Sequence, residues 1–231
     1  MPASRKRRMP PQERSAFGLT MLHPSHPEVR RLQQDAARPT LHGQKVWPTS
    51  FVLLDYLHQR GVAPQARVLD LGCGWGLVGI ACAKTFQAQV TGLDADAAVF
   101  PYLQLHAQRN GVHLETRHGT FADLTLHELA AFELMVGADI CFWEELVDPL
   151  YHLVRQGVAA GVAEILVADP GRPPFDELCV RCLAQGDAEV LDWTTTTPTK
   201  ECSRILRVVG WGTAARRAGR HAGGALDCTR S

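Results

Sequence analysis

Five short β-prone runs recur along the middle of the chain: "ARVLDL" (66–71), "QVTGLD" (89–94), "LETRH" (114–118), "ELMVGAD" (133–139) and "AEILVAD" (163–169). Between them the apolar positions fall at helical spacing over 75–86, 96–110, 124–130 and 143–157, which predicts helices. Strand alternating with helix predicts an α/β fold, a doubly wound parallel sheet covered on both faces. Ahead of the first strand, "WPTSFVLLDYLHQRG" (47–61) sets Pro48 and Thr49 at a helix start and Gly61 at its stop, the pattern of a covering helix. After Asp169 the turn "DPGRPP" leads into a helix near 175–185. "AEVLDWTTTT" and "CSRILRVV" then flank Pro198 with no room for a helix between them. Such spacing permits only an antiparallel pair, expected at the sheet edge.

The periodicity fades at both ends. Residues 1–44, rich in Arg, Pro and His, are expected to form a largely flexible arm with one short helix. The folded domain is expected over 45–210, and a disordered tail over 211–231. The basic run Arg5, Lys6, Arg7 and Arg8 reads as a solvated tail.

Composition removes several function classes. Hydrophobic residues make up 45% of the 231 positions and the formal net charge is zero, so no membrane span and no global attraction to nucleic acid or anionic lipid are expected. The seven cysteines are scattered through apolar segments with no signal-peptide pattern before them, which predicts a reducing, cytoplasmic setting. Cys179 and Cys182 form a CxxC without a second pair at zinc-ligand spacing, and no histidines are paired as ligands, so no metal is assigned. A monomer is the expected state.

Chemistry concentrates in "VLDLGCGWGLVGI" (68–80), where Gly72, Gly74, Gly76 and Gly79 follow an apolar strand and open a helix. Bare backbone there admits a ligand that any Cβ would obstruct, and the helix start adds N–H donors. A dinucleotide GxGxxG counted from the strand end would need glycine at 77, where Leu77 stands; the frame Gly74, Gly76, Gly79 fits but begins two residues late. Asp70 weighs further against a diphosphate, which it would repel, and toward a cationic group that it could hold. S-adenosylmethionine carries an ammonium and a sulfonium and no phosphate.

"DLGCGWG" resembles the DxGxGxG first motif of the class I, seven-strand methyltransferases, a Rossmann-like family with five parallel strands and a C-terminal antiparallel pair. The resemblance spans roughly 45–210. It implies that Asp70, Gly72, Gly74 and Gly76 line the S-adenosylmethionine site and that Asp94, ending "VTGLD", accepts the ribose hydroxyls. Many relatives have an acid after the third strand for the adenine amino group. Here "HGTFADL" puts Thr120 at that place, with Phe121 expected on the adenine ring and Asp123 available to take over the hydrogen bond.

Three stretches resemble a branch of mostly protein-lysine methyltransferases. Asp139 and Phe142 in "GADICFWEELVDPL" fit its [DE]xx[YF] pattern. "VADPGRPPF" (167–175) is similar to the turn of the lysine methyltransferases that modify the electron transfer flavoprotein β-subunit, and "WP" at Trp47 and Pro48 is similar to that branch too. Trp47 and Asp139 are therefore expected at the cofactor, and Asp139, Phe142 and Trp143 at the reacting methyl, with a protein substrate. Asp139 as a mere helix cap, Phe142 and Trp143 as plain core, and Arg172 as a solvated charge remain open alternatives. So do a small-molecule N-methyltransferase and a non-catalytic binding module. Nucleic acid is not the expected substrate, since no Asn-Pro-Pro-Tyr-type motif follows the fourth strand.

Overall fold

In the computed structural model, residues 12–35, 39 and 45–210 are described. A hairpin of β1 (Glu13–Ala16) and β2 (Leu19–Leu22) and the helix α1 (Pro27–Asp35) precede the covering helix α2 (Pro48–Arg60). Strand and helix then alternate through β3 (Arg67–Leu71), α3 (Leu77–Phe86), β4 (Gln89–Asp94), α4 (Phe100–Asn110) and β5 (Glu115–His118). The second half runs α5 (Leu126–Leu129), β6 (Leu134–Ala138), α6 (Val147–Ala160), β7 (Glu164–Asp169), α7 (Pro173–Leu183), β8 (Ala188–Thr195) and β9 (Glu201–Val209). Bounds differ from the predicted ones by a few residues, chiefly where 3₁₀ turns (Ala97–Val99, Glu144–Leu146) replace helix starts; a third 3₁₀ turn, Phe121–Asp123, lies ahead of α5.

The main sheet has seven strands in the order β5-β4-β3-β6-β7-β9-β8. β3 to β7 are parallel, and β9 runs antiparallel between β7 and β8. Successive side chains of a strand point to opposite faces. In β3, Val68 accordingly joins the core under α2, α3 and α4, while Leu69 and Leu71 join the core under α6 and α7. Burial on both faces is why these strands read as continuous apolar runs. Asp70 shares the parity of Val68 and so faces α3. The chain leaves β3 toward β4 and β5 and returns on the other side as β6, making the carboxyl ends of β3 and β6 the switch point where ligands bind in such sheets.

Within the expected flexible arm, residues 12–35 fold onto the sheet domain instead. Leu19, Met21, Leu22 and Val29 are buried, and Asn110 of α4 clamps Thr20 by accepting from its N–H (2.8 Å) and donating to its carbonyl (2.9 Å). His106 of α4 also accepts from the N–H of Leu22 at 3.2 Å. The hairpin holds because one face is apolar and its free edge finds side-chain partners on α4. The basic run 5–8 and the tail 211–231 lie outside the described residues. Cys179 and Cys182 pack in the core under α7, their thiols pushed up by burial to about 12 and about 11. Among the described residues no helix is long and apolar enough to cross a membrane.

Candidate active site

A cavity of about 450 Å³ opens at the carboxyl ends of β3, β4 and β6, within the roughly 300–1,000 Å³ typical of small-ligand sites. It collects the predicted residues Trp47, Asp70, Gly72, Gly74, Asp94, Thr120, Phe121, Asp139, Phe142 and Trp143 along one wall or another. Gly76 does not line it; this residue instead turns the chain into α3 with φ +79°, and a Cβ there would come 2.7 Å from Leu103 Cγ. Gly74 differs. Its φ is +52° and a Cβ would meet no protein atom within 4 Å, so the space it leaves belongs to the cavity.

At the glycine-loop end, two carboxylates are fixed by backbone N–H groups. Asp70, 2% exposed, accepts from Gly79 N–H of α3 at 2.9 Å through Oδ2, and burial raises its carboxyl to about 7. Asp94 accepts from Gly74 N–H through Oδ2 and from Asp96 N–H through Oδ1, both at 2.9 Å, and burial likewise raises it. The same loop is tied to β4 by Cys73 N–H donating to the Leu93 carbonyl at 3.0 Å. Thr120 and Phe121 form the wall beyond β5. Asp123, expected to replace the missing acid, does not line the cavity: its Oδ2 accepts from the Thr120 N–H (2.6 Å) and hydroxyl (2.8 Å) in a capping box that starts the 3₁₀ turn.

The other end follows β6. Asp139 has φ +63°, donates its N–H to the Ala168 carbonyl at 2.9 Å, and is nearly buried. Its Oδ1 lies 2.5 Å from Nη2 of Arg172. Arg172 also binds Oδ2 of the fully buried Asp169 at 2.8 Å through Nη1, while Oδ1 of Asp169 accepts from the N–H groups of Gly171 and Arg172. The helix-cap alternative for Asp139 is thereby set aside: the 3₁₀ turn that opens α6 is preceded by Trp143, with no side-chain cap. Arg172 is no solvated charge either, since the DPGRP turn folds it back onto two carboxylates. Phe142 and Trp143 meet edge to face at 4.7 Å, with Trp143 48% exposed at the rim. A plain-core role for Trp143 is thus excluded.

Residues 68–160 match the family described as a methyltransferase domain. The matched stretch runs from β3 to the end of α6. The fold is Rossmann-like: the magnesium protoporphyrin IX methyltransferase of Synechocystis PCC 6803, solved with bound S-adenosylmethionine, superposes with a TM-score of 0.54 at 18% identity over 79% of this chain and 89% of that one. Two curated relatives differ in what their names state. A ubiquinone biosynthesis O-methyltransferase of Xanthomonas campestris is 34% identical over 43% of this chain and 40% of its own length. The electron transfer flavoprotein beta subunit lysine methyltransferase of Mus musculus is 26% identical over 67% and 59%. The chain thus aligns with about half the length of these relatives.

The residues of this cavity fit S-adenosylmethionine. Among the described residues, three carboxylates (Asp70, Asp94, Asp139) line it against a single lysine, a balance suited to a net cation and hostile to a diphosphate. The bare position Gly74 sits among them. Sequence reasoning missed Lys45, Ser50 and Trp75 of this wall, and the tie between Arg172 and Asp139. Trp75, stacked on Tyr102 at 5.4 Å, lay inside the quoted motif, but the motif specifies only its glycines. Asp139 and Arg172 belong to loops after different strands, so no local spacing joins them.

Proposed function

We propose that this protein is a methyltransferase that moves a methyl group from S-adenosylmethionine to nitrogen, with a protein lysine as the acceptor. Asp70 would hold the cofactor's ammonium and Asp94 its ribose hydroxyls. Phe121 and Thr120 would face the adenine, and Gly72 and Gly74 would keep the loop bare. When bound, the cofactor supplies an electrophilic sulfonium methyl. The observation that carries the acceptor assignment is Asp139, buried in a left-handed turn and paired with Arg172, in the same cavity as the glycine loop and beside Phe142 and Trp143.

The lysine must reach the cavity as a free amine. With a free pKa of about 10.4, less than roughly a thousandth of it is neutral at pH 7. Phe142 and Trp143 would cover its methylenes and disfavour the charged form by desolvation. An isolated Asp139 carboxylate would do the reverse and hold the amine protonated. The Arg172 guanidinium at 2.5 Å offsets that charge, leaving Asp139 an acceptor that orients an N–H without locking the proton in place. The proton leaves toward the half-exposed rim at Trp143, and alignment of the lone pair supplies much of the rate, on the order of 7 to 11 kcal/mol in well-oriented reactions.

Support for the protein substrate comes from the mouse relative, whose name states a lysine target. The Xanthomonas relative favours a second reading, transfer to a small molecule. The two part in one experiment: purified full chain is incubated with methyl-labelled S-adenosylmethionine and a lysate, either untreated or with its lysines acetylated. Label is expected in protein bands that vanish after acetylation. Label confined to the low-mass fraction, or protein label indifferent to acetylation, would overturn the lysine assignment.

A further inference from the structure

The amino-acid tail of the proposed cofactor carries a carboxylate as well as an ammonium, and only one of them has a partner so far. Asp70 suits the ammonium. Asp70 and Asp94 would both repel the carboxylate, and among the described residues lining the cavity Lys45 is the only cationic side chain. Among the described residues no carboxylate pairs with Lys45. Its Nζ instead lies over the Trp47 ring, 4.2 Å from the centroid, a cation–π seat that restrains a side chain otherwise free to swing into solvent. Trp47 lines the cavity as well and stands at the N-terminal end of α2, with Ser50 of the first turn lining it behind. The positive end of the α2 dipole therefore adds to the lysine's charge.

Packing puts this segment at the cofactor's end of the cavity, away from the acceptor rim. Val46, next to Lys45, packs against the cluster that holds Trp75 and Tyr102, and Trp75 directly follows Gly74 of the bare loop. Lys45 is thus brought to the loop that follows Asp70, whereas Phe142 and Trp143 follow β6. A cation at the acceptor rim would oppose an incoming lysine; at the loop end it meets the one anionic group of the ligand.

We infer that Lys45, seated on Trp47, is the partner of the carboxylate of the S-adenosylmethionine amino-acid tail and makes the site selective for cofactors that keep that tail. This rests on the cofactor assignment above. The test is calorimetric and needs no turnover. The full chain and its Lys45→Gln and Lys45→Arg variants are titrated with S-adenosylhomocysteine and with 5′-methylthioadenosine, which shares the nucleoside and sulfur but lacks the tail. Lys45→Gln is expected to weaken S-adenosylhomocysteine about tenfold, as for a partly solvated charged hydrogen bond, and to leave methylthioadenosine unchanged. Lys45→Arg should restore most of the loss. Equal losses for both ligands, or no loss for either, would overturn the role of Lys45 while leaving the cofactor assignment intact. A wild-type chain that binds neither ligand overturns the cofactor assignment and this inference with it.

Discussion

At the glycine-loop end of the cavity, Asp70 and Asp94 are held by backbone N–H groups of Gly79, Gly74 and Asp96, supplied by α3, the loop and the turn after β4. At the other end, after β6, Asp139 is held by a side chain, the guanidinium of Arg172, which arrives from the turn after a neighbouring strand and is itself anchored to buried Asp169. The first arrangement is assembled largely by loop and helix-start backbone and changes little with side-chain identity outside the motif. The second exists only once β6 and β7 have paired. On the proposed function, the glycine-loop end would hold the cofactor as a property of the fold, whereas the β6 end would be where one chain differs from another in what it methylates.

The sharpest way to break this contrast is Asp139→Asn. Asparagine tolerates the left-handed backbone at φ +63°, so the turn survives. Methyl transfer is expected to fall roughly 100- to 1,000-fold, as when an orienting group is lost, with S-adenosylhomocysteine affinity unchanged by calorimetry. A parallel loss of affinity would merge the two ends into one.

Asp70→Asn tests the other end. Asparagine's side-chain oxygen can still accept from Gly79 N–H, so the loop is kept. Affinity should fall about 10- to 100-fold at pH 8, as for a lost charged hydrogen bond. In the wild type, burial raises Asp70 to about 7, so affinity should climb as pH rises through that value and the carboxyl ionises. The variant should lack that slope. Stability runs the other way. A folded-state value above the unfolded one means that the folded chain holds its proton more tightly. Asp70 therefore lowers the ligand-free protein's stability as pH rises from about 4 to about 7. Asp70→Asn should accordingly raise Tm above pH 7 and change it little below pH 4.

Gly74→Ala and Gly76→Ala sharpen the comparison within a single loop. Both place a side chain at positive φ, at about 1–2 kcal/mol. The Gly74 methyl enters the cavity, and the expected result is about a tenfold or greater loss of S-adenosylhomocysteine affinity with a small drop in Tm. The Gly76 methyl meets buried Leu103 at 2.7 Å, adding roughly 1–3 kcal/mol of overpacking. Its larger effect should appear in thermal unfolding.

Arg172→Met is expected to have the mildest effect on turnover, near tenfold, because the acceptor carboxylate remains. Its signature is in the pH profile. Without the guanidinium, Asp139 holds the substrate amine protonated more strongly, so the rising limb of kcat should move to higher pH. A uniform loss at every pH would mean that Arg172 acts through structure alone.

The parts of the molecule legible in the sequence share a physical origin. β3, β6 and β7 are buried on both faces and so appear as apolar runs, and Asp70, Gly72, Gly74 and Asp94 owe their positions to strand ends and to the loop between β3 and α3. What escaped notice depends on contacts between distant segments or on a local choice of partner. The β1–β2 hairpin has two four-residue strands inside an Arg- and Pro-rich stretch, and its stability comes from Asn110 and His106 on α4. Asp123 was visible as a spare acid near the adenine position, but its attachment to Thr120 is a local capping choice that removes it. Lys45 precedes the covering helix with no motif to mark it.

The central claim is that the cavity's carboxylates select a sulfonium-bearing amino-acid nucleoside and exclude a diphosphate. Titration of the purified full chain with S-adenosylhomocysteine and, separately, with NAD⁺ tests it directly. The predicted result is saturable one-site heat with the first and none with the second; uptake of NAD⁺ by a chain inert to S-adenosylhomocysteine would contradict it.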